Sequence, residues 1–119
     1  MSLLSQTSQF PVLSSGTLQR YLGSIQQIRV LTVEEETELF KRFQVDEDLD
    51  AARELVMSHL RYVAYIARGY IGYGLPLEDL IQQGNVGLMK SVKKFDLSHG
   101  VRLVSFAVHW IKAEMHEYI

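Results

Sequence analysis

Apolar residues recur every three or four positions along most of this chain, which is the spacing of an α-helix and not of a β-strand. The longest apolar stripe comprises Leu49, Ala52, Val56, Leu60, Val63 and Ala67. It is widened by Leu55, Tyr62 and Ile66, as is typical of a helix that contacts more than one neighbour. Because no stretch shows a clear period of two, we predict an all-α protein with a single compact domain of four to five helices.

Capping and breaking residues predict where these helices begin and end. Thr32 and Glu35 form a capping box, in which each side chain accepts a hydrogen bond from a backbone amide at the helix start. Glycines from residue 69 onward end a long helix, and Pro76 suits the first turn of the next one. The predicted helices cover about 17–29, 32–44, 49–70, 76–94 and 103–119.

Two glycines, Gly84 and Gly87, lie inside the fourth predicted helix, where each costs about 1 kcal/mol relative to alanine. We therefore predict that another helix packs closely against them. Residues 1–16 are rich in Ser, Gln and Thr and are predicted to be a poorly ordered tail, which leaves residues 17–119 as the domain. The last helix has no stop signal, so we expect the chain to be a fragment of a longer protein.

Composition narrows the classes of function. The chain has 119 residues, a net charge of -2 and no cysteine, which excludes disulfides and thiolate metal sites and is compatible with a cytoplasmic location. It contains no apolar run near the roughly 20 residues that a membrane span requires. Residues 1–60 carry five basic and nine acidic residues, whereas residues 61–119 carry seven and five. This modest basic surplus predicts that DNA binding would need a partner.

Catalytic and metal-binding patterns are not evident. Among the four histidines only His109 and His116 share a helix face, and no third ligand accompanies them. The chain has no glycine-rich phosphate loop and no nucleophile elbow. We therefore predict a protein that is not an enzyme and that uses no metal or cofactor.

Adjacent amide side chains mark the middle of the fourth helix. Gln82, Gln83 and Asn85 can donate and accept hydrogen bonds and cost less to desolvate than charges. Asp79 and Met89 lie on roughly the same side and add one charge and one adaptable apolar contact. This mixture favours a protein–protein interface, although an uncharged face turned to solvent is an equally open interpretation.

Aromatic rings cluster on the last helix. Phe106, His109 and Trp110 stand at i, i+3 and i+4, so their rings are neighbours. Such rings can stack an unpaired base, and basic residues around them can neutralise phosphates. The alternative is that Phe106 and Trp110 are ordinary hydrophobic-core residues. The basic residues nearby are Lys93, Lys94, Arg102 and Lys112.

The chain resembles the bacterial sigma factors of the primary/heat-shock superfamily. Similarity to region 2 of that family is carried by DLIQQGNVGLMKSVKKFD and VRLVSFAVHWIKAEMHEYI, and the start of that region is similar to ELVMSHLRYVAYIARGYIGYGLPLEDL. Residues 18–43 resemble region 1.2. Among the subfamilies, SHLRYVAYIARGYIGYGLP and VRLVSFAVHWIKAEMHEY are most similar to the heat-shock-type alternative factor.

This resemblance implies a protein that binds the RNA polymerase core enzyme, recognises promoters and opens the duplex at the -10 element. By position, the family's contact with a coiled coil of the β′ subunit falls on Asp79, Gln82, Gln83, Asn85 and Met89. By position, the resemblance assigns contacts with the nontemplate strand of the -10 element to Lys94, Phe95, Asp96, His99, Arg102, Ser105, Phe106, His109 and Trp110. The helix face that reads the upstream bases of the -10 element corresponds, by position, to Lys112, Ala113, His116 and Glu117.

Departures from the housekeeping members accord with an alternative factor. Those members carry aromatic residues where Val101 and Leu103 stand, and a second tryptophan where His109 stands. Glutamate is frequent at the position of Gln83, and basic residues are commoner near Glu117. Fewer aromatic residues imply weaker unaided strand separation and a stricter promoter. The alternative function, from a different class, is a helical interaction module without its own DNA binding, held by a chaperone or an anti-sigma partner.

Overall fold

Helices account for the regular structure of residues 17–119, the part of the chain that this computed structural model describes. They are α1 (Leu18–Gln26), α2 (Val33–Asp46), α3 (Leu49–Met57), α4 (Leu60–Arg68), α5 (Leu77–Lys94), a short 3₁₀ helix η1 (Leu97–His99) and α6 (Leu103–Tyr118). No strand occurs among the described residues, and the all-α prediction is confirmed. The predicted tail, residues 1–16, lies outside them.

The predicted long helix over residues 49–70 is wrong in one respect, because it is interrupted between α3 and α4. Ring atom Nδ1 of His59 lies 2.8 Å from the carbonyl oxygen of Leu55, the acceptor that the His59 backbone amide would use in a continuous helix. That amide donates instead to Val56 at 3.0 Å, and the Ser58 hydroxyl also donates to Leu55. Competition from side chains therefore creates a tight turn that apolar spacing alone does not predict.

Two predicted helix starts are present with their capping bonds. Thr32 Oγ1 accepts from the Glu35 amide at 3.1 Å, and Glu35 Oε1 accepts from the Thr32 amide at 2.9 Å, which confirms the capping box. A hydrogen bond from Arg29 and the bond from the Thr32 backbone lower the pKa of Glu35 to about 2. At α3, the Asp48 carboxylate accepts from the amides of Asp50 and Ala51.

The closest helix pair is α5 with α6, which run antiparallel. A Cβ added to Gly87 would collide with the backbone carbonyl of Trp110, and one added to Gly84 would come within 2.6 Å of Val63 Cγ1 and also strike Met115. The prediction that another helix approaches these glycines is confirmed. Because the contact partner of Gly87 is backbone, the surface of α6 near Trp110 is fixed by the position of α5.

One hydrophobic core joins all six helices. Each contributes fully buried side chains, and burial of a large one contributes about 1.5–3 kcal/mol. In α6 the buried residues recur every four positions, which leaves the opposite face of this helix to solvent. Among the described helices, none is both long and apolar enough to cross a lipid bilayer. The buried residues of α6 are Leu103, Ala107, Ile111 and Met115.

Candidate functional site

The outward face of α6 is polar and lies opposite its buried stripe. Its exposed residues begin in the first turn and continue almost to the end of the helix, a length of about 16 Å at 1.5 Å per residue. The face carries two imidazoles, one ammonium group and a hydroxyl, with no carboxylate in its centre. These exposed residues are Ser105, His109, Lys112, Ala113 and His116, and the exposed Glu117 lies at the edge of the face.

A series of rings leads from the hydrophobic core to one flank of this face. The centroids of Phe40 and Phe95 are 4.5 Å apart, those of Phe95 and Phe106 5.7 Å, and those of Phe106 and Trp110 6.2 Å. Phe40 and Phe95 are buried, whereas Phe106 and Trp110 are half-buried. The inner rings therefore hold the outer pair at the surface, where both rings are partly accessible to solvent.

The turn before α6 is largely exposed and holds one aspartate and one histidine. The Asp96 carboxylate caps η1 by accepting from the Ser98 amide at 2.9 Å, and this bond lowers the pKa of Asp96. Gly100 adopts a left-handed conformation with φ 69°, which closes the turn. Lys94 and His99 are exposed beside it. Asp96 therefore has a structural task in shaping the turn. Its other oxygen lies 3.8 Å from Nε2 of His99, and Lys94 remains available at the surface.

Glu36 is the residue that sequence reasoning missed. It is only 4% exposed, and its Oε2 accepts from the Leu103 amide at 2.9 Å, so a residue of α2 caps the start of α6. Its Oε1 accepts from Arg102 at 3.2 Å, and the same guanidinium donates to the Leu31 carbonyl at 3.0 Å. The burial of Glu36 could have been predicted from helical spacing. Glu36 precedes Leu39 and Phe40 by three and four residues and so lies on the buried face of α2.

Arg102, which is expected at the nontemplate strand, makes internal contacts in this structure. Its guanidinium is committed to Glu36 and to the Leu31 carbonyl, and the side chain is 40% exposed. Nε of Arg102 is buried and has no hydrogen-bond partner within the described part of the chain. The residue therefore connects α2 to α6, and only the outer part of its side chain faces solvent.

A cleft of about 270 Å³ lies next to this ion pair, between the α3–α4 turn and the start of α6. Its walls include His59, Tyr62, Arg102 and Val104. Burial lowers the pKa of His59, an effect opposed by the Leu55 carbonyl and by Glu36. Since that carbonyl can only accept, Nδ1 donates to it, and Nε2 lies 3.9 Å from Oε1 of Glu36. The cleft thus combines flat and hydrogen-bonding groups at the end of the α6 face.

The amide residues of α5 differ in exposure and in their internal contacts. Gln82 is exposed and Gln83 is half-buried. Asn85 Nδ2 donates to the Tyr21 hydroxyl at 3.2 Å, which ties α5 to α1, and burial raises the pKa of Tyr21. Asp79 accepts from the Tyr118 hydroxyl at 3.1 Å. Among the five predicted partner-binding residues of α5, Gln82 is the one that is exposed.

Two of the expected contact residues are buried in this structure. Met89 is 3% exposed and Phe95 is 4% exposed, and both belong to the hydrophobic core. Each faces the neighbouring helices, so neither offers its side chain to a partner in this structure. Phe95 contributes indirectly, because its ring supports Phe106.

Within residues 17–119, no group of three or more His, Asp or Glu side chains is placed to hold a metal ion. His116 is instead engaged by Tyr70, whose hydroxyl lies 2.9 Å from the imidazole Nε2.

The helical architecture and the two polar surfaces of the α5–α6 pair define a helical recognition domain. Residues 55–119 match the family described as Sigma-70 region 2. The chain is also 54% identical over 103 residues to the RNA polymerase sigma factor RpoH of Zymomonas mobilis, an alignment that covers 87% of this chain and 34% of that protein. The chain belongs to the sigma-70 region 2 family. The resemblance to sigma factors of the heat-shock type is confirmed.

The chain spans about a third of the length of this curated relative. The matched family region includes α4, α5 and α6 and therefore both polar surfaces described above. Residues of α1 and α2, including Glu36, precede the matched region. The structure thus shows a physical link between the family region and the segment before it.

Proposed function

We propose that this region binds the RNA polymerase core enzyme and receives the nontemplate strand of the -10 element, as part of a heat-shock-type sigma factor that initiates transcription in the cytoplasm. The observation that carries the proposal is that the α5–α6 pair presents two chemically different surfaces. One displays amides on α5, and the other displays half-buried rings and basic groups on α6. The proposed activity is binding and strand separation, with no enzymatic step.

The proposed docking surface is centred on Gln82. Its exposed amide can donate to and accept from a partner helix, and Gln83 and Asp79 flank it. We assign this surface to the coiled coil of the β′ subunit. Asn85 supports it from within through Tyr21, so its role is to position the helix face. A chaperone or an anti-sigma regulator that covered Gln82 would compete with the core enzyme for the same surface.

The proposed strand-binding surface is the outer ring pair with its basic surroundings. Separating a base from the duplex costs a few kcal/mol, and stacking on an aromatic ring returns about 1–3 kcal/mol per base. Phe106 and Trp110 offer such a platform at the flank of α6. The cleft beside His59 and Tyr62 offers a second space for a displaced base at the start of the helix.

The remaining α6 residues would face the DNA upstream of this platform. Lys112, Ala113 and His116 are exposed along the same face, and Glu117 lies at its edge. The net charge of the chain is only -2, so the core enzyme would supply most of the attraction to phosphate. Because the core enzyme supplies the charge and this domain supplies the rings, the domain can bind a strand without a strongly basic surface.

Docking is tested by measuring the affinity of the 119-residue chain for a β′ coiled-coil fragment. We expect Gln82→Ala to weaken binding by about 1–2 kcal/mol, since a partner group loses its hydrogen bond on complex formation. Gln26→Ala, an exposed glutamine of α1, is the matched control and should bind as the unchanged chain does. Equal affinities for both variants would contradict the docking assignment.

A further inference from the structure

A second surface of the molecule, away from the ring pair, has the chemistry of a nucleic-acid contact. It is a groove of about 810 Å³ between α4 and α6. We define the α4–α6 groove by Tyr62, Tyr65, Arg68, Tyr70, Val108 and Lys112. Arg68 on one wall and Lys112 on the other are both exposed, and none of the described residues that line the groove is acidic. The groove is therefore bounded by two cations with no carboxylate to neutralise them.

Tyrosine side chains give the groove flat surfaces and hydroxyl donors. The rings of Tyr62 and Tyr65 are nearly parallel, with an interplanar angle of 15° and centroids 6.4 Å apart. Tyr65 is 71% exposed, so most of its side chain is open to a further contact. Tyrosine hydroxyls and arginine are among the groups that contact phosphate oxygens in DNA complexes.

The α4–α6 groove is continuous with the outward face of α6. Lys112 belongs to both, and the Tyr70 ring packs edge-on against His116 with centroids 5.1 Å apart. Along the helix, His116 lies six residues beyond Trp110, which corresponds to about 9 Å. A nucleic acid held at Trp110 and extending toward His116 would meet the mouth of the groove.

We propose that the α4–α6 groove binds the phosphate backbone of the double-stranded DNA that adjoins the captured strand. This inference rests on the proposed function, since it assigns DNA to α6. Charge favours DNA as the occupant, because the two walls supply cations and hydrogen-bond donors and no acceptor carboxylate. Arg68 and Tyr65 of α4 thereby become DNA-contacting residues on a helix that lies outside the ring platform.

The test compares two labelled DNA probes bound to the chain in complex with the RNA polymerase core enzyme. One is a single strand with the -10 nontemplate sequence, and the other carries a duplex on its upstream side. Arg68→Ala should weaken binding of the duplex-bearing probe. It should also make the plot of log affinity against log salt less steep, by about 0.9 in slope for one lost phosphate contact. It should leave the single-strand affinity unchanged. Arg20→Ala, which removes one exposed arginine of α1, is the matched control.

The outcomes separate this inference from the proposed function. If Trp110→Ala weakens both probes while Arg68→Ala behaves as Arg20→Ala, the groove assignment is overturned and the proposed function stands. If Trp110→Ala changes neither probe while Arg68→Ala still weakens the duplex-bearing probe, the ring platform is wrong and the groove assignment stands. If Arg68→Ala lowers affinity for the core enzyme without DNA, the groove is a protein contact and the proposal fails.

Discussion

At the scale of single residues, one carboxylate determines how the proposed strand-binding helix begins. Glu36 accepts from the Leu103 amide and from Arg102, and it is nearly completely buried. Without it, the first amide of α6 would lose its capping partner and the guanidinium of Arg102 would lose its counter-charge. Both losses favour the unfolded state, because buried polar groups without partners cost free energy.

Glu36→Ala should lower the free energy of unfolding by about 2–3 kcal/mol, somewhat less than for a fully buried pair because Arg102 is 40% exposed. Urea unfolding of the 119-residue chain, followed by circular dichroism, measures this change. The control Glu38→Ala removes an exposed carboxylate of the same helix and should stay within about 0.5 kcal/mol of the unchanged chain. Equal midpoints for the two variants would show that the Glu36 contacts contribute little.

At the scale of elements, the α5–α6 pair depends on two glycines that let the helices approach. Gly87 faces backbone atoms of Trp110 and Ile111, which cannot turn aside as a side chain can. Gly84 faces the ends of side chains, which can shift more readily. The position of the ring platform is therefore set at Gly87, through contact between the main chains of the two helices.

Gly87→Ala should destabilise the chain by about 1–3 kcal/mol, since the added methyl group overpacks the helix interface. Gly23→Ala provides an opposite control within a helix, because its added Cβ meets nothing within 4 Å. That change should stabilise the chain by about 0.4–1 kcal/mol by restricting the unfolded state. Thermal unfolding of both variants gives the comparison, and a higher melting temperature for Gly87→Ala would refute the close-packing account.

At the scale of the whole molecule, apolar spacing and capping residues predicted the all-α architecture and most helix boundaries. The break at His59 was missed, because it depends on a side chain that competes for the Leu55 carbonyl. Spacing also could not show that Met89 and Phe95 are buried, since this depends on where other helices pack. The interpretation of Phe106 and Trp110 stayed open between hydrophobic core and platform, and the structure places both at the boundary.

The same limits explain why the polar surfaces were predicted only in outline. A resemblance to a family assigns residues by position, and nine of the strand-binding and upstream candidates are exposed. It does not show that Asn85, Arg102 and His116 are engaged by other parts of the chain. These internal contacts are tertiary, and their partners lie 64, 71 and 46 residues away in sequence.

The central claim is that the outer ring pair accepts an unstacked base, and Trp110 is the only tryptophan of the chain. Replacing it with 5-hydroxytryptophan allows its emission to be excited without exciting the tryptophans of the core enzyme. Addition of the nontemplate -10 strand to the complex should quench and shift this emission, whereas the complementary strand should have little effect. Unchanged emission, with strand binding confirmed independently by anisotropy, would contradict the ring platform.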